Sequence, residues 1–419
     1  MTLPSSPPAA RTVMTAARHR APVVALACAV LAPVTLGAAV PAVAARGTGS
    51  SLSVEHRHDG LPDLDRRALQ QALSSAPDRV TGMLARVAGP DGHWAGVYGC
   101  ADVTTGQAVP ADGHFRLGSV TKTFIAVVVL QLAAEGRVDL GRPVQQYLPG
   151  VLPDGYPPIP VRTLLNFTSG LPELTAQDLP TTPADIVEHR FDDHPLAELV
   201  AHAVRHERPF TEPGSMQVYG ATGYYLAALL VEDLTGHPYQ EEITTRVVQP
   251  LHLRDTTAPK NDPTIPGPHS HGYIAVPQPG GATQLADITE QNPAAGGMIS
   301  TTADLDRFLT VLFRGRLLPP AQQAELFAVP DVPYLGGTDH DPGHGRAYYS
   351  AGLLRATLPN GVTVWGKTGS TYGYTAGMFT TSDLRRRLVY SFNPTIGGGN
   401  DLALVNRILS ATFTAPPAP

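Results

Sequence analysis

From Val120 to Glu135 the chain reads Val-Thr-Lys-Thr-Phe-Ile-Ala-Val-Val-Val-Leu-Gln-Leu-Ala-Ala-Glu, apolar almost all round when wound as a helix. A helix without a polar face has to be enclosed by other elements, so this segment predicts the central helix of a layered fold. Gly136 follows as its natural C-terminal stop.

The flanking patterns say what encloses it. Leu64 to Ala76 alternates at helical spacing. Two strand-like runs follow, Val80 to Ala88 and Trp94 to Tyr98, joined through Gly89-Pro90-Asp91-Gly92. Residues 145 to 285 carry helical segments, notably Leu196 to His206 and Gly223 to Leu234, between proline-rich loops and with few strand signals. Strand signals return at Ala351 to Leu358, Val362 to Gly366, Tyr374 to Thr380 and Leu388 to Phe392, before a last helix from about Asp401 to Phe413. Thr301-Thr302-Ala303-Asp304 has the pattern of a helix-starting cap. The expected fold class is α+β: an antiparallel sheet flanked by N- and C-terminal helices, with an inserted helical region.

The first residues belong to delivery rather than to the fold. Arg11, Arg18 and Arg20 precede an apolar run from Ala21 to Leu36, which closes on Ala42-Val43-Ala44. This is the pattern of a signal peptide over 1–44, and Pro22, Pro33, Gly37 and Pro41 interrupt it before it reaches the ~20 apolar residues of a membrane span. Secretion is expected, with no stable membrane insertion after the leader is removed. Acylation of Cys28 as a lipoprotein is disfavoured by the poor small-residue box Ala25-Leu26-Ala27. Residues 45–60 read as a flexible linker and 61–414 as the folded domain, with its α/β part at about 61–144 and 286–414 and its helical region at about 145–285. Loss of the leader leaves Cys100 alone, so no intrachain disulfide is available. A net charge of −6 without a basic block argues against nucleic acid or an anionic membrane surface as partner.

Lysine is scarce, and its placement is informative. The chain has three, Lys122, Lys260 and Lys367. Lys122 stands three residues after Ser119 at the head of the enclosed helix, whereas Lys367 opens Lys367-Thr368-Gly369 at the end of a late strand. A helix-capping Ser119 would prefer Glu or Gln three residues on, and a cation in the first turn faces the positive end of the helix dipole. The same placement suits a base: residues i and i+3 share a face, and burial and the dipole both favour the neutral amine. The helix N-terminus also favours the Ser119 alkoxide and an oxyanion beside it. His202 and His206, at helical spacing, lack the companions of a zinc site and are expected to be solvated. No Gly-x-Ser-x-Gly elbow is present.

Phe115-Arg116-Leu117-Gly118-Ser119-Val120-Thr121-Lys122, Gly136-Arg137-Val138-Asp139-Leu140, Tyr147-Leu148-Pro149, Thr168-Ser169-Gly170-Leu171 and Lys367-Thr368-Gly369 occur in that order. From about Val80 to Phe413 the chain thereby resembles the serine β-lactamase and D-alanyl-D-alanine carboxypeptidase superfamily, and within it the secreted actinomycete carboxypeptidases and their class C β-lactamase relatives. The resemblance implies that Ser119 is the acylated nucleophile, Lys122 its activating amine, and Tyr219, in Tyr219-Gly220-Ala221, the group that returns a proton to the leaving group. It implies that Lys367 supplies charge, that Thr368 and Ser370 bind a substrate carboxylate beside Gly369, and that the Ser370 N–H completes an oxyanion hole. Arg355 aligns with an arginine that grips a terminal carboxylate. No cofactor or metal is implied.

Two positions depart from the family pattern: Ala221 stands in place of an asparagine that binds substrate amides, and Phe167 in place of a histidine. The leading expectation is a D-alanyl-D-alanine carboxypeptidase acting on peptidoglycan stem peptides. An esterase or acyl-transferase of the same fold competes with it because of Ala221, followed by a β-lactamase or a noncatalytic penicillin-binding homologue. Small peptides, β-lactams or esters are the expected substrates.

Overall fold

The computed structural model describes residues 61–292, 297–338, 341–395 and 401–414; the expected leader over 1–44 and linker over 45–60 lie outside the described residues. The helices are α1 (Arg66–Ser74), α2 (Thr121–Ala134), α3 (Val161–Leu165), α4 (Pro183–Glu188), α5 (Leu196–Ala203), α6 (Thr222–Thr235), α7 (Tyr239–Ile243), α8 (Thr302–Phe313), α9 (Pro320–Phe327) and α10 (Leu402–Phe413). The strands are β1 (Val80–Gly89), β2 (Gly92–Asp102), β3 (Gln107–Ala108), β4 (Phe115–Arg116), β5 (Tyr273–Pro277), β6 (Thr283–Asp287), β7 (Ile299–Ser300), β8 (Leu354–Thr357), β9 (Thr363–Thr371), β10 (Tyr374–Thr381) and β11 (Arg387–Pro394).

Seven strands form one sheet in the order β3-β2-β1-β11-β10-β9-β8, every neighbouring pair antiparallel. The fold is α+β, as expected. Each residue of β10 is buried, as are all of β11 but its first, so the middle of the sheet is covered on both faces. Terminal helices α1 and α10 pack together, and α8 lies across β1, β10 and β11. Side-chain caps start these helices where the chain leaves a loop: Asp65 accepts from the Arg67 and Ala68 N–H groups, Thr301 from Asp304, and Asp401 from Leu404.

α2 is the enclosed helix that the sequence requires. Thr121 to Leu130 and Leu132 are all buried, the ring of Phe124 stacks on Phe308 of α8 at 4.0 Å, and α6, α7 and α9 close the remaining sides. Gly136 ends it at φ +72°. Four local expectations are corrected. The region expected to be helical also contains the β5–β6 hairpin. Strand β9 does not stop at Gly366 but runs through Lys367-Thr368-Gly369 to Thr371. Strand β8 begins at Leu354 rather than Ala351, because Gly352 at φ +76° turns the chain against α2. His206 is also not simply solvated: its Nε2 lies 2.6 Å from Asp178 Oδ2.

Candidate active site

The site is built where β9 meets the head of α2. The chain leaves β4, turns at Gly118 and makes a single 3-10 turn, Gly118–Val120, before α2 begins. Ser119 sits in this turn rather than at a helix cap, and its side chain accepts no capping bond. Two glycines let the backbones touch. A methyl group on Gly118 would come within 2.5 Å of the Ser370 nitrogen, and one on Gly369 within 1.9 Å of the Leu117 carbonyl oxygen and 2.7 Å of the Ser119 nitrogen. Gly118 also has φ +51°, which a side chain would resist. Ser119 is thereby held beside the backbone of Gly369 and Ser370.

Lys122 is only 8% exposed, and its Nζ donates to Ser119 Oγ at 3.0 Å. The two residues predicted to act as a pair do meet. Tyr219 comes from the loop before α6 and brings its ring close to both buried lysines, with Lys122 Nζ 5.5 Å and Lys367 Nζ 4.8 Å from its centroid. Lys367 is fully buried and donates to the Thr368 carbonyl oxygen at 2.6 Å. The Ser370 hydroxyl lies 3.3 Å from that of Thr375 on β10.

Arg355 is not brought to this group. It is exposed and stacks on Trp365, its cross-strand partner, with the guanidinium 6.0 Å from the ring centroid. Trp365 precedes Thr368 by three strand positions, about 10 Å along β9.

An aromatic layer supports Tyr219. Phe167 stacks on it at 4.6 Å and also meets Tyr349 and Tyr224, at 5.0 and 5.3 Å. Phe167 has φ +62°, a costly backbone conformation for a bulky residue. Two hydrogen bonds to the peptide that follows it hold it there, from the Thr168 N–H to the Thr163 carbonyl and from the Val218 N–H to Phe167's own carbonyl. Tyr224 donates to the Leu165 carbonyl, and burial pushes its hydroxyl well above the usual tyrosine range. Two further residues had no sequence signal. Gln217 is fully buried two residues before Tyr219. Glu173 accepts from the N–H groups of Ala221 and Thr222 at 2.7 and 3.1 Å. Burial raises the Glu173 carboxyl above its ordinary range, against the pull of those two N–H groups and of Lys122.

A serine whose hydroxyl is held by a buried amine at the head of a central helix, facing a Lys-Thr-Gly strand, defines a serine hydrolase of the penicillin-recognising fold. The Beta-lactamase family model matches residues 67–411, and the chain belongs to that family. Among solved structures it is similar to a D-stereospecific amidohydrolase from Streptomyces sp., at 34% identity and a TM-score of 0.71 over 83% of this chain and 98% of that one. It is 30% identical to Esterase EstB of Burkholderia gladioli over 61% of this chain and 71% of that protein. It is 24% identical to Penicillin-binding protein 4* of Bacillus subtilis (strain 168) over 71% of this chain, a region spanning 64% of the Bacillus protein.

Proposed function

We propose that the protein hydrolyses small amides and esters through an acyl-enzyme on Ser119, with a preference for acyl groups of D-configuration. The observation that carries this reading is the 3.0 Å contact between Lys122 Nζ and Ser119 Oγ against the backbone of β9. With its amine neutral, Lys122 takes the Ser119 proton as Oγ attacks the acyl carbon. The oxyanion that forms is met by the N–H groups of Ser119 and Ser370, the former in the first helical turn where N–H groups have no intrahelical partner. Collapse breaks the bond to the leaving group, which takes a proton from Tyr219, its charge environment set by Lys122 and Lys367. Water then gives a proton back to the Tyr219 oxygen as it attacks the acyl carbon, and Ser119 leaves by taking back the proton held on Lys122, so an amide and water become an acid and an amine.

The choice of substrate follows from what the site lacks. Ala221 offers a methyl group where an asparagine would bind a substrate amide, and Arg355 is exposed and stacked on Trp365. The first weakens recognition of a peptide amide, and the second favours leaving groups without a carboxylate. The similarity to a D-stereospecific amidohydrolase supports the amide and the D-configuration, and that to Esterase EstB supports esters. A D-alanyl-D-alanine carboxypeptidase is the second reading, favoured by the intact Lys367-Thr368-Gly369-Ser370 strand and the similarity to Penicillin-binding protein 4*. The leader-like residues 1–44 support action outside the cell.

The test is a substrate panel with one acyl group of each configuration, presented as amide, ester and D-Ala-D-Ala peptide. Hydrolysis of the D-amide and ester, lost in Ser119→Ala, is expected. Release of D-alanine from the peptide faster than either would replace the proposal with the carboxypeptidase reading.

A further inference from the structure

Tyr219 lies in a stretch without regular secondary structure, yet a proton donor has to be placed within a fraction of an ångström to serve the leaving group. Two side chains that do not themselves reach Ser119 fix this stretch at both ends. Before Tyr219, the Gln217 amide uses its full bonding capacity: Nε2 donates to the carbonyl oxygens of Asn166 and Tyr349 at 2.8 and 2.9 Å, and Oε1 accepts from the N–H groups of Tyr348 and Tyr349 at 2.9 and 3.1 Å. The loop is thereby tied to the segments that carry Phe167 and Tyr349, the two rings packed on Tyr219.

After Tyr219, Ala221 stands at the N-cap position of α6, and its methyl side chain cannot cap a helix. The Glu173 carboxylate does so from a distant part of the chain, one oxygen on the Ala221 N–H and the other on that of Thr222. An anion there also meets the positive end of the α6 dipole. Gly220 leaves room for it, since a methyl at that position would come within 2.1 Å of Glu173 Oε1.

We propose that Gln217 and Glu173 are positioning residues, a clamp on the backbone either side of Tyr219 that aims its hydroxyl at the leaving group. The proposal rests on the reading of Tyr219 as the proton donor in a Ser119 acyl-enzyme. Its consequence is selective: loosening the clamp damages reactions whose leaving group needs a proton and spares those whose leaving group departs as a stable anion.

A matched pair of substrates with one acyl group, a p-nitroanilide and a p-nitrophenyl ester, separates the two, because any contact to the acyl group cancels in the ratio. Glu173→Gln keeps the shape of the side chain, and Gln217→Glu keeps one acceptor while losing both amide donors. Active-site titration by the ester burst corrects each for the folded fraction. In each variant kcat/KM for the anilide is expected to fall about tenfold or more while that for the ester stays within about threefold. In a Tyr219→Phe background, Glu173→Gln is expected to cost less than about twofold further, because the group it aims is gone. Equal losses on both substrates, or a full additional loss in the Tyr219→Phe background, overturn the clamp while leaving the hydrolase reading in place. A wild-type protein inert to both substrates overturns the hydrolase reading and the clamp with it.

Discussion

Gly369→Ala probes the contact on which the site's geometry depends. In the native structure β9 presses its backbone against the Ser119 turn, and the added methyl would stand 1.9 Å from the Leu117 carbonyl oxygen, 2.7 Å from the Ser119 nitrogen and 2.8 Å from that of Val120. All three neighbours are backbone atoms, so no side chain can swing aside. Relief requires β9 and the turn to separate by roughly 1 Å, since packed interiors transmit strain rather than absorb it. A displacement of that size between reacting groups costs about 100-fold in rate. Overpacking of a close-packed interior costs about 1–3 kcal/mol of stability. The assay is kcat/KM on an activated ester together with a denaturant unfolding curve for the same preparation. The rate is expected to fall about 100-fold in protein that remains folded. A variant with native activity and an unchanged unfolding midpoint would refute the claim that these backbones are in contact.

Three further substitutions test other parts of the structure. Arg355→Ala should leave turnover of small amides and esters within about twofold of wild type, since loss of an exposed guanidinium stacked on Trp365 removes nothing from the reacting group; a loss of about tenfold or more on a carboxylate-bearing peptide alone would restore the arginine to substrate binding. Phe167→Ala removes a ring packed on Tyr219, Tyr224 and Tyr349 while keeping the strained backbone, and should cost about 3–5 kcal/mol in denaturant unfolding; a loss below about 1 kcal/mol would contradict the packing. The Asp178 carboxyl is held below its ordinary range, burial opposing but the Thr175 N–H, His206 and the Thr175 hydroxyl prevailing. A depressed carboxylate stabilises the fold above its unfolded pKa and loses that contribution as pH falls through the folded value. Asp178→Asn should therefore lower the unfolding midpoint at pH 7 and have progressively less effect below about pH 4; an equal effect at pH 7 and pH 3 would refute the assignment.

The parts of this molecule that the sequence reveals are those that act locally or periodically. α2 announces itself because a helix apolar all round can only be central, and the three-residue spacing of Ser119, in the turn before it, and Lys122, in its first turn, brings the two side chains together. The strands of the sheet's middle read clearly for the same reason, being buried on both faces. The β5–β6 hairpin is hidden because β6, Thr283–Asp287, is mostly exposed and carries no apolar alternation. Gln217 and Glu173 are hidden for another reason: they bind backbone groups as far as 132 positions away, and no pattern in the sequence encodes such a partner. Arg355 shows the converse, since alignment placed it on the right strand while its direction is decided by Trp365 across the ladder.

The central claim is that Lys122 makes Ser119 able to take an acyl group. Intact-mass spectrometry with peptide mapping, on protein mixed rapidly with a penicillin or an activated ester, measures that event itself. A single acyl adduct on Ser119 is predicted, absent in Ser119→Ala and formed about 100-fold or more slowly in Lys122→Ala. An adduct on any other residue, or one that forms on Ser119 at the native rate without the Lys122 amine, would contradict it.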